Sequence, residues 1–266
     1  MLKKQTYLSF SLILLLMITG ISCSKYQRLL KSNDYNLKYE KAVEYYNDED
    51  YYRAQTLLEE VMTILKGTEK AEEAQYFYTY CLYNQGDYIL AGYHFKNFSR
   101  TFPNSVHREE TDYMVAYCYY LQSPKPTLDQ KYTFKAIEEF QLFLNKYPGS
   151  ERIDNANEYV SKLRNKLELK SYLNAKLYYD LGNYKASIVS LKTSLNDYPD
   201  SDYREDILFY ILKSSFLLAE NSIEIKKYER YKSTITEYYV LIDEYKESKY
   251  IKEAQKIYDT AAKYVK

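Results

Sequence analysis

The chain has 266 residues with 37 Lys and Arg against 37 Asp and Glu, so it carries no basic excess of the kind nucleic-acid binding needs. Charged residues at 28% and a mean hydropathy of −0.59 exclude a polytopic membrane protein, and 46% hydrophobic residues exclude a disordered chain. Six glycines and five prolines, about 4% of the residues against roughly 12% in ordinary chains, leave little material for a many-stranded sheet and favour long helices joined by short turns.

Residues 1–22 read as an export signal. Lys3 and Lys4 precede an almost uninterrupted apolar run from Phe10 to Ile21, too short for a spanning helix. Gly20-Ile21-Ser22-Cys23 closes the run with small residues beside a cysteine, where a lipoprotein signal peptidase would cut. Cys23 would then be the lipidated first residue; the alternative is an ordinary secretory signal with an incidental cysteine. A free thiol exposed at a mature N-terminus is a liability, which favours lipidation. Two acyl chains plus an N-acyl group exceed what stable anchoring requires. Residues 23–36 are expected to be a lipidated tether. Loss of Lys3 and Lys4 leaves 35 cations against 37 carboxylates, a net charge of −2.

Helical repeats are expected beyond the tether. Phe102-Pro103-Asn104-Ser105, Tyr147-Pro148-Gly149-Ser150 and Tyr198-Pro199-Asp200-Ser201 recur, and Tyr245-Lys246-Glu247-Ser248 is a decayed copy. In each, an aromatic residue closes one helix and serine is expected to N-cap the next; in the three full copies proline prevents the first helix from continuing. Glu109, Asp154 and Glu205 would complement the dipole of the following helix. Between these joints the chain resembles tetratricopeptide helix pairs with a period of about 34 residues. Setting Pro103 at position 32 places Thr79, Leu82, Ala91 and Phe95 at positions 8, 11, 20 and 24. The first repeat has Ala42, Tyr45, Ala54 and Leu58 there, the third Ala116, Tyr119, Ala136 and Phe140, and the fourth Ala175, Tyr178, Ser187 and Leu191. Small residues at 8 and 20 let paired helices approach, and large ones at 11 and 24 fill the seam. The third repeat carries an insertion around Pro124–Pro126, and the weaker fifth, from Asp206 to about Tyr245, carries another between its helices.

The expected fold is all-α, a tetratricopeptide-like solenoid of about five helix pairs. Repeats 1–3 occupy 37–150. A long connecting helix and repeats 4–5 occupy 151–266. The helix is read from Ser150–Leu181, which lacks glycine and proline and spaces Ile153, Ala156, Val160, Leu163 and Leu167 by three and four.

Thirty-six tyrosines and no tryptophan set the composition apart. In tetratricopeptide arrays the first helix of each pair lines a concave face, and positions 5 and 12 here hold Tyr39/Tyr46, Tyr76/Tyr83, Tyr113/Tyr120 and Tyr172/Tyr179. Position 9 adds Tyr80 and Tyr117. One reading is that the stripe packs neighbouring repeats. The other is an aromatic groove in which Tyr39, Tyr76, Tyr80, Tyr113 and Tyr117 receive an extended peptide, with phenols free to bond its backbone. Tyr76, Tyr80, Tyr113 and Tyr117 would form a two-by-two patch.

Catalytic signals are lacking. His94 and His107 have no sequence-level partners, Cys81 and Cys118 read as buried small hydrophobes or a disulfide, and neighbouring acids such as Glu72-Glu73 diverge on their helices. No phosphate loop, nucleophile elbow or metal motif is present, so no cofactor, no metal and no enzymatic activity are expected.

From Tyr147 to Ile207 the chain carries Tyr-Pro-Gly-Ser, then Leu163-Arg164-Asn165-Lys166-Leu167, Ala175-Lys176-Leu177-Tyr178-Tyr179 and Asp197-Tyr198-Pro199-Asp200-Ser201. With the signal and the repeats, these resemble the BamD family of outer-membrane protein assembly lipoproteins over nearly all the mature chain. The resemblance implies anchoring in the inner leaflet of the outer membrane, docking of the later repeats on the barrel insertase BamA, and reception of unfolded barrel segments by the earlier repeats. Ser24-Lys25-Tyr26-Gln27 lacks an acidic run, which by resemblance to other lipoproteins implies facing the periplasm. The alternative function is another periplasmic binding module, for glycan capture or envelope and cell-division coordination.

Overall fold

The computed structural model describes residues 25–265, so the signal peptide and Cys23 lie outside the described residues. Those residues are helical throughout, with no strand among them. After a short helical segment at 25–30 come α1 (Tyr35–Asn47), α2 (Tyr51–Leu65), α3 (Lys70–Asn84), α4 (Tyr88–Thr101), α5 (Arg108–Gln122) and α6 (Lys131–Lys146). Then follow α7 (Ile153–Asp180), α8 (Tyr184–Asp197), α9 (Arg204–Glu220), α10 (Glu224–Glu244) and α11 (Ile251–Ala261). The described residues divide into two compact units, one of 25–122 with Asn145–Tyr147 and one of Ser123–Leu144 with 148–265.

The turn inside a helix pair is built from local chemistry repeated three times. Glu49, Gly86 and Gly182 hold positive φ of 60°, 82° and 75°. The residue after each sends its N–H five residues back, to Tyr45, Leu82 and Tyr178 at 2.8–3.0 Å. This left-handed ending satisfies carbonyls that the helix leaves orphaned. The same following residue, Asp50, Asp87 or Asn183, then accepts on its side chain the N–H of the third residue of the next helix, Arg53, Leu90 or Ala186.

The joints between pairs are equally uniform. Phe102, Tyr198 and Tyr245 end their helices with φ between −118° and −134° and ψ between 69° and 77°. Tyr245 does so without the proline of the other copies, so the decayed joint folds as the intact ones do. The serine behaves differently from the expectation. Ser105, Ser150, Ser201 and Ser248 accept at Oγ from the N–H two residues on, at 3.0–3.2 Å, and their carbonyls accept from the residue after that. Serine therefore closes a separate turn, and Arg152, Tyr203 and Tyr250 occupy the N-caps without a side-chain capping bond. The acids fall in the first helical turns as expected.

The seam follows the repeat register. Ala42, Thr79, Ala116 and Ala175 at position 8, Ala54, Ala91, Ala136 and Ser187 at position 20, and Leu58, Phe95, Phe140 and Leu191 at position 24 are all buried. Thr234, Tyr238 and Leu241 continue positions 20, 24 and 27 in the fifth repeat and are buried too. Position 11 departs from the expectation. Leu82 is buried and Tyr45 half-buried, but Tyr178 is 41% exposed. In that pair Leu191 packs with Ile207, Leu208 and Ile211 of α9 to complete the core, leaving the ring outside.

Within the second unit α7 is one helix of 28 residues, as its spacing predicts. The Pro124–Pro126 insertion is a loop tied to it. Lys166 Nζ donates to Ser123 Oγ at 2.7 Å, Lys170 Nζ to the Leu128 carbonyl at 2.6 Å, and buried Gln130 donates to Lys125 and Leu128 carbonyls. The fifth insertion makes no such loop; it lengthens α9 to 17 and α10 to 21 residues. The core of this unit joins α7 to α11, with Ala254 and Ile257 of α11 covering the end of the stack.

Candidate functional site: the tyrosine-lined faces

In the first unit the first helices of the repeats, α1, α3 and α5, carry the tyrosine stripe. A carboxylate at position 2 of one repeat meets the tyrosine at position 5 of the repeat before it. Tyr39 Oη donates to Glu73, and Tyr76 Oη donates to Glu110 Oε2 at 3.0 Å, each across 34 residues. Tyr80 Oη donates to the other oxygen of Glu110 at 2.8 Å. The 34-residue separation is the 37-residue offset between equivalent positions less the three positions between 2 and 5.

These contacts decide the phenols' chemistry. Burial first, then Glu110, pushes the Tyr76 phenol up to about 12, and the same causes push Tyr80 higher still. Burial and the Glu73 carboxylate raise Tyr39 likewise. All three remain neutral donors at any physiological pH. The expected free phenols at Tyr39, Tyr76 and Tyr80 are therefore engaged, because an unpaired hydroxyl in a half-dry seam is costly and a carboxylate of the next repeat lies within reach.

The rings form two close pairs. Tyr76 and Tyr80 have centroids 4.8 Å apart, and Tyr113 and Tyr117 lie parallel at 6.1 Å. Tyr83 links the pairs, 6.2 Å from Tyr80 and 6.5 Å from Tyr117. Tyr39 and Tyr113 are buried at 6% and 9% exposure, whereas Tyr76, Tyr80 and Tyr117 keep part of their surface open. Position 5 is thus mainly packing at two of these repeats, and the accessible rings are Tyr76, Tyr80 and Tyr117.

His107, unassigned in the sequence, stacks on Tyr76 at 4.2 Å with Nδ1 3.9 Å from Glu110. His94 packs edge-on to Tyr78, and burial lowers its pKa. Cys81 and Cys118 are free, fully buried thiols that burial pushes up to about 12, so they are inert small hydrophobes. Glu73 and Glu110 were missed as site residues, since adjacent acids were read only along their own helices. The legible signal was an acid 34 residues beyond a position-5 tyrosine.

The second unit repeats the theme. Tyr172 stacks on Tyr203 at 5.3 Å, and Phe209 stacks on Tyr250 at 3.9 Å. Tyr250 Oη donates to Asp206, which also accepts from Lys249 at 3.0 Å. Among the described residues no three His, Cys, Asp or Glu side chains gather as a metal site, and no helix is long and apolar enough to cross a membrane.

Helix pairs in a tetratricopeptide register with aromatic faces define a helical-repeat protein. Residues 31–227 match the model of the YfiO outer membrane lipoproteins, and the chain belongs to this family, the BamD family that its motifs resemble. Solved structures similar to it include the TPR2AB-domain:pHSP90 complex of yeast Sti1, 12% identical, covering 86% of this chain and 98% of that one with a TM-score of 0.38. The TPR domain of P58(IPK) is 13% identical, covering 92% and 67%, with a TM-score of 0.38. No curated protein matches the chain.

Proposed function

We propose that this protein is a non-catalytic scaffold lipoprotein of the outer-membrane β-barrel assembly machinery, anchored through lipidated Cys23 and facing the periplasm. Its later repeats dock on the barrel insertase BamA, and its earlier repeats receive unfolded barrel segments. Membership of the outer membrane lipoprotein family over residues 31–227 is the observation that carries this reading. The open surfaces of Tyr76, Tyr80 and Tyr117 support the reception of a peptide. Ring edges offer apolar area at low entropic cost, and partly open phenols can accept from a strand's N–H groups while donating to Glu110.

Purification of the tagged protein from detergent-solubilised outer membranes, read by mass spectrometry, tests the assignment. Stoichiometric recovery of a barrel insertase is expected. Recovery of cell-wall or division proteins without an insertase would overturn it.

A further inference from the structure

The segment after the acylation point is not a loose tether. Residues 25–30 are helical and held to the first repeat at three places. Tyr26 is 8% exposed and meets Tyr45 edge-on at 5.8 Å. The Arg53 guanidinium lies over both rings, 5.3 and 5.6 Å from their centroids. Lys38, only 3% exposed, donates to the Leu30 carbonyl at 2.8 Å while pairing with Glu60. A cation buried this deeply needs partners, and here one of them is the end of the N-terminal segment.

Beside this segment opens a cleft of about 500 Å³, lined by Lys25, Arg28, Leu29, Leu37, Lys41 and Glu44 among others. Lys41 pairs with Glu44 at 2.5 Å, so Lys25 and Arg28, both exposed, carry the cleft's excess positive charge. Lys25 is the second residue after Cys23. Two residues span at most about 7 Å, less than the screening length of roughly 8 Å at physiological salt. A chain anchored at Cys23 therefore holds this cleft within electrostatic range of the headgroups.

We propose that the cleft binds the headgroup of an anionic phospholipid in the leaflet that holds the anchor. The inference rests on the reading of Cys23 as the attachment point. Lys25 and Arg28 supply donors and charge for the phosphate. Leu29 and Leu37 offer apolar surface toward the glycerol and upper acyl region. Because the segment is clamped by Tyr26, Arg53 and Lys38, binding there fixes the orientation of the first repeat against the membrane.

The test uses the full lipidated protein in vesicles of phosphatidylethanolamine with or without phosphatidylglycerol. Lysines are labelled with a soluble amine reagent, and exposed Lys66 serves as internal reference. Labelling of Lys25 and Lys41 relative to Lys66 should slow about fivefold in the anionic vesicles, and high salt should remove the difference. In a Lys25→Glu/Arg28→Glu variant the protection of Lys41 should vanish. Equal relative rates in both vesicles, with the protein retained after a carbonate wash, overturn the headgroup site alone. Failure of retention overturns the Cys23 anchor and the site with it. The same protection from inorganic phosphate without anionic lipid would assign the cleft to soluble anions and overturn the lipid reading.

Discussion

Tyr76 and Tyr80 share one acceptor, the two oxygens of the Glu110 carboxylate, at 3.0 and 2.8 Å. The two tyrosines lie one helical turn apart on α3, and Glu110 sits in the first turn of α5. One side chain of the third repeat thus fixes two rings of the second. Glu110→Ala should strand both phenols and cost about 2 kcal/mol. Glu110→Gln, which keeps an acceptor, should cost less. Denaturant unfolding of the three proteins checks the order, and an alanine variant as stable as the parent would show that the paired contacts contribute nothing.

Tyr76→Ala combined with Tyr113→Ala separates packing from recognition. Tyr113 is buried, so removal of its ring should cost several kcal/mol, on the order of large-to-small core changes. Tyr76 retains an open surface, so affinity for a peptide ending in an aromatic residue should also fall. Both quantities are to be measured on the same preparation. Unaltered affinity in the folded fraction would remove Tyr76 from the groove.

Ala91 and its neighbour Gly92 are the close-approach point of α4. A Cβ built on Gly92 would lie 3.2 Å from the Cys118 Cβ on α5, and Ala91 is fully buried. Ala91→Leu should overpack the seam and cost about 1–3 kcal/mol. Its thermal midpoint should fall accordingly, and an unchanged midpoint would mean that the seam has room the packing does not show.

Glu49 does the work of a glycine. It holds a φ of 60° where the two equivalent turns use Gly86 and Gly182. Left-handed backbone at a residue with a Cβ costs about 1 kcal/mol. Glu49→Gly should recover part of that, less the added entropy of the unfolded chain. The expected outcome is a small rise in the denaturation midpoint, and a fall would show that the Glu49 side chain contributes more than its backbone costs.

Asp112 ties α5 to the joint residues Lys146 and Tyr147, accepting from them at 2.5 and 2.8 Å. Burial would raise its carboxyl, but hydrogen bonds, led by that from Lys146, hold it below the ordinary value. A depressed carboxylate stabilises the fold above the unfolded value of about 4 and loses that contribution as pH falls through the folded value. The stability gap between parent and Asp112→Asn should therefore be largest near neutrality and close on acidification below about pH 4. A gap that widens in acid would reverse the sign of the linkage.

How far the sequence could be read depended on the reach of each interaction. The inter-helix turns use contacts five residues long; a glycine followed by Asp or Asn announces those from Asp87 to Leu82 and from Asn183 to Tyr178, while Glu49 holds the glycine's place before Asp50. The joints use an aromatic, a turn and a serine two residues before the N-cap, so even Tyr245-Lys246-Glu247-Ser248 was recognisable without its proline. Serine's exact task was misplaced by two residues because its bond closes a turn of its own before the helix starts.

The helices, their pairing and the small residues of the seam are legible along the chain, because backbone satisfaction and helix approach are set by near neighbours. Which tyrosines pack between repeats depends instead on the folded arrangement. Tyr39, Tyr76 and Tyr80 differ little as residues in a stripe, but each finds its carboxylate 30 or 34 residues away, on the next repeat. Tertiary structure also turned the expected tether into a clamped segment, since the partners of Tyr26 and Leu30 come from α1 and α2. A buried phenol or ammonium takes whichever acceptor the fold brings within about 3 Å, and that acceptor's identity is not written beside it in the chain.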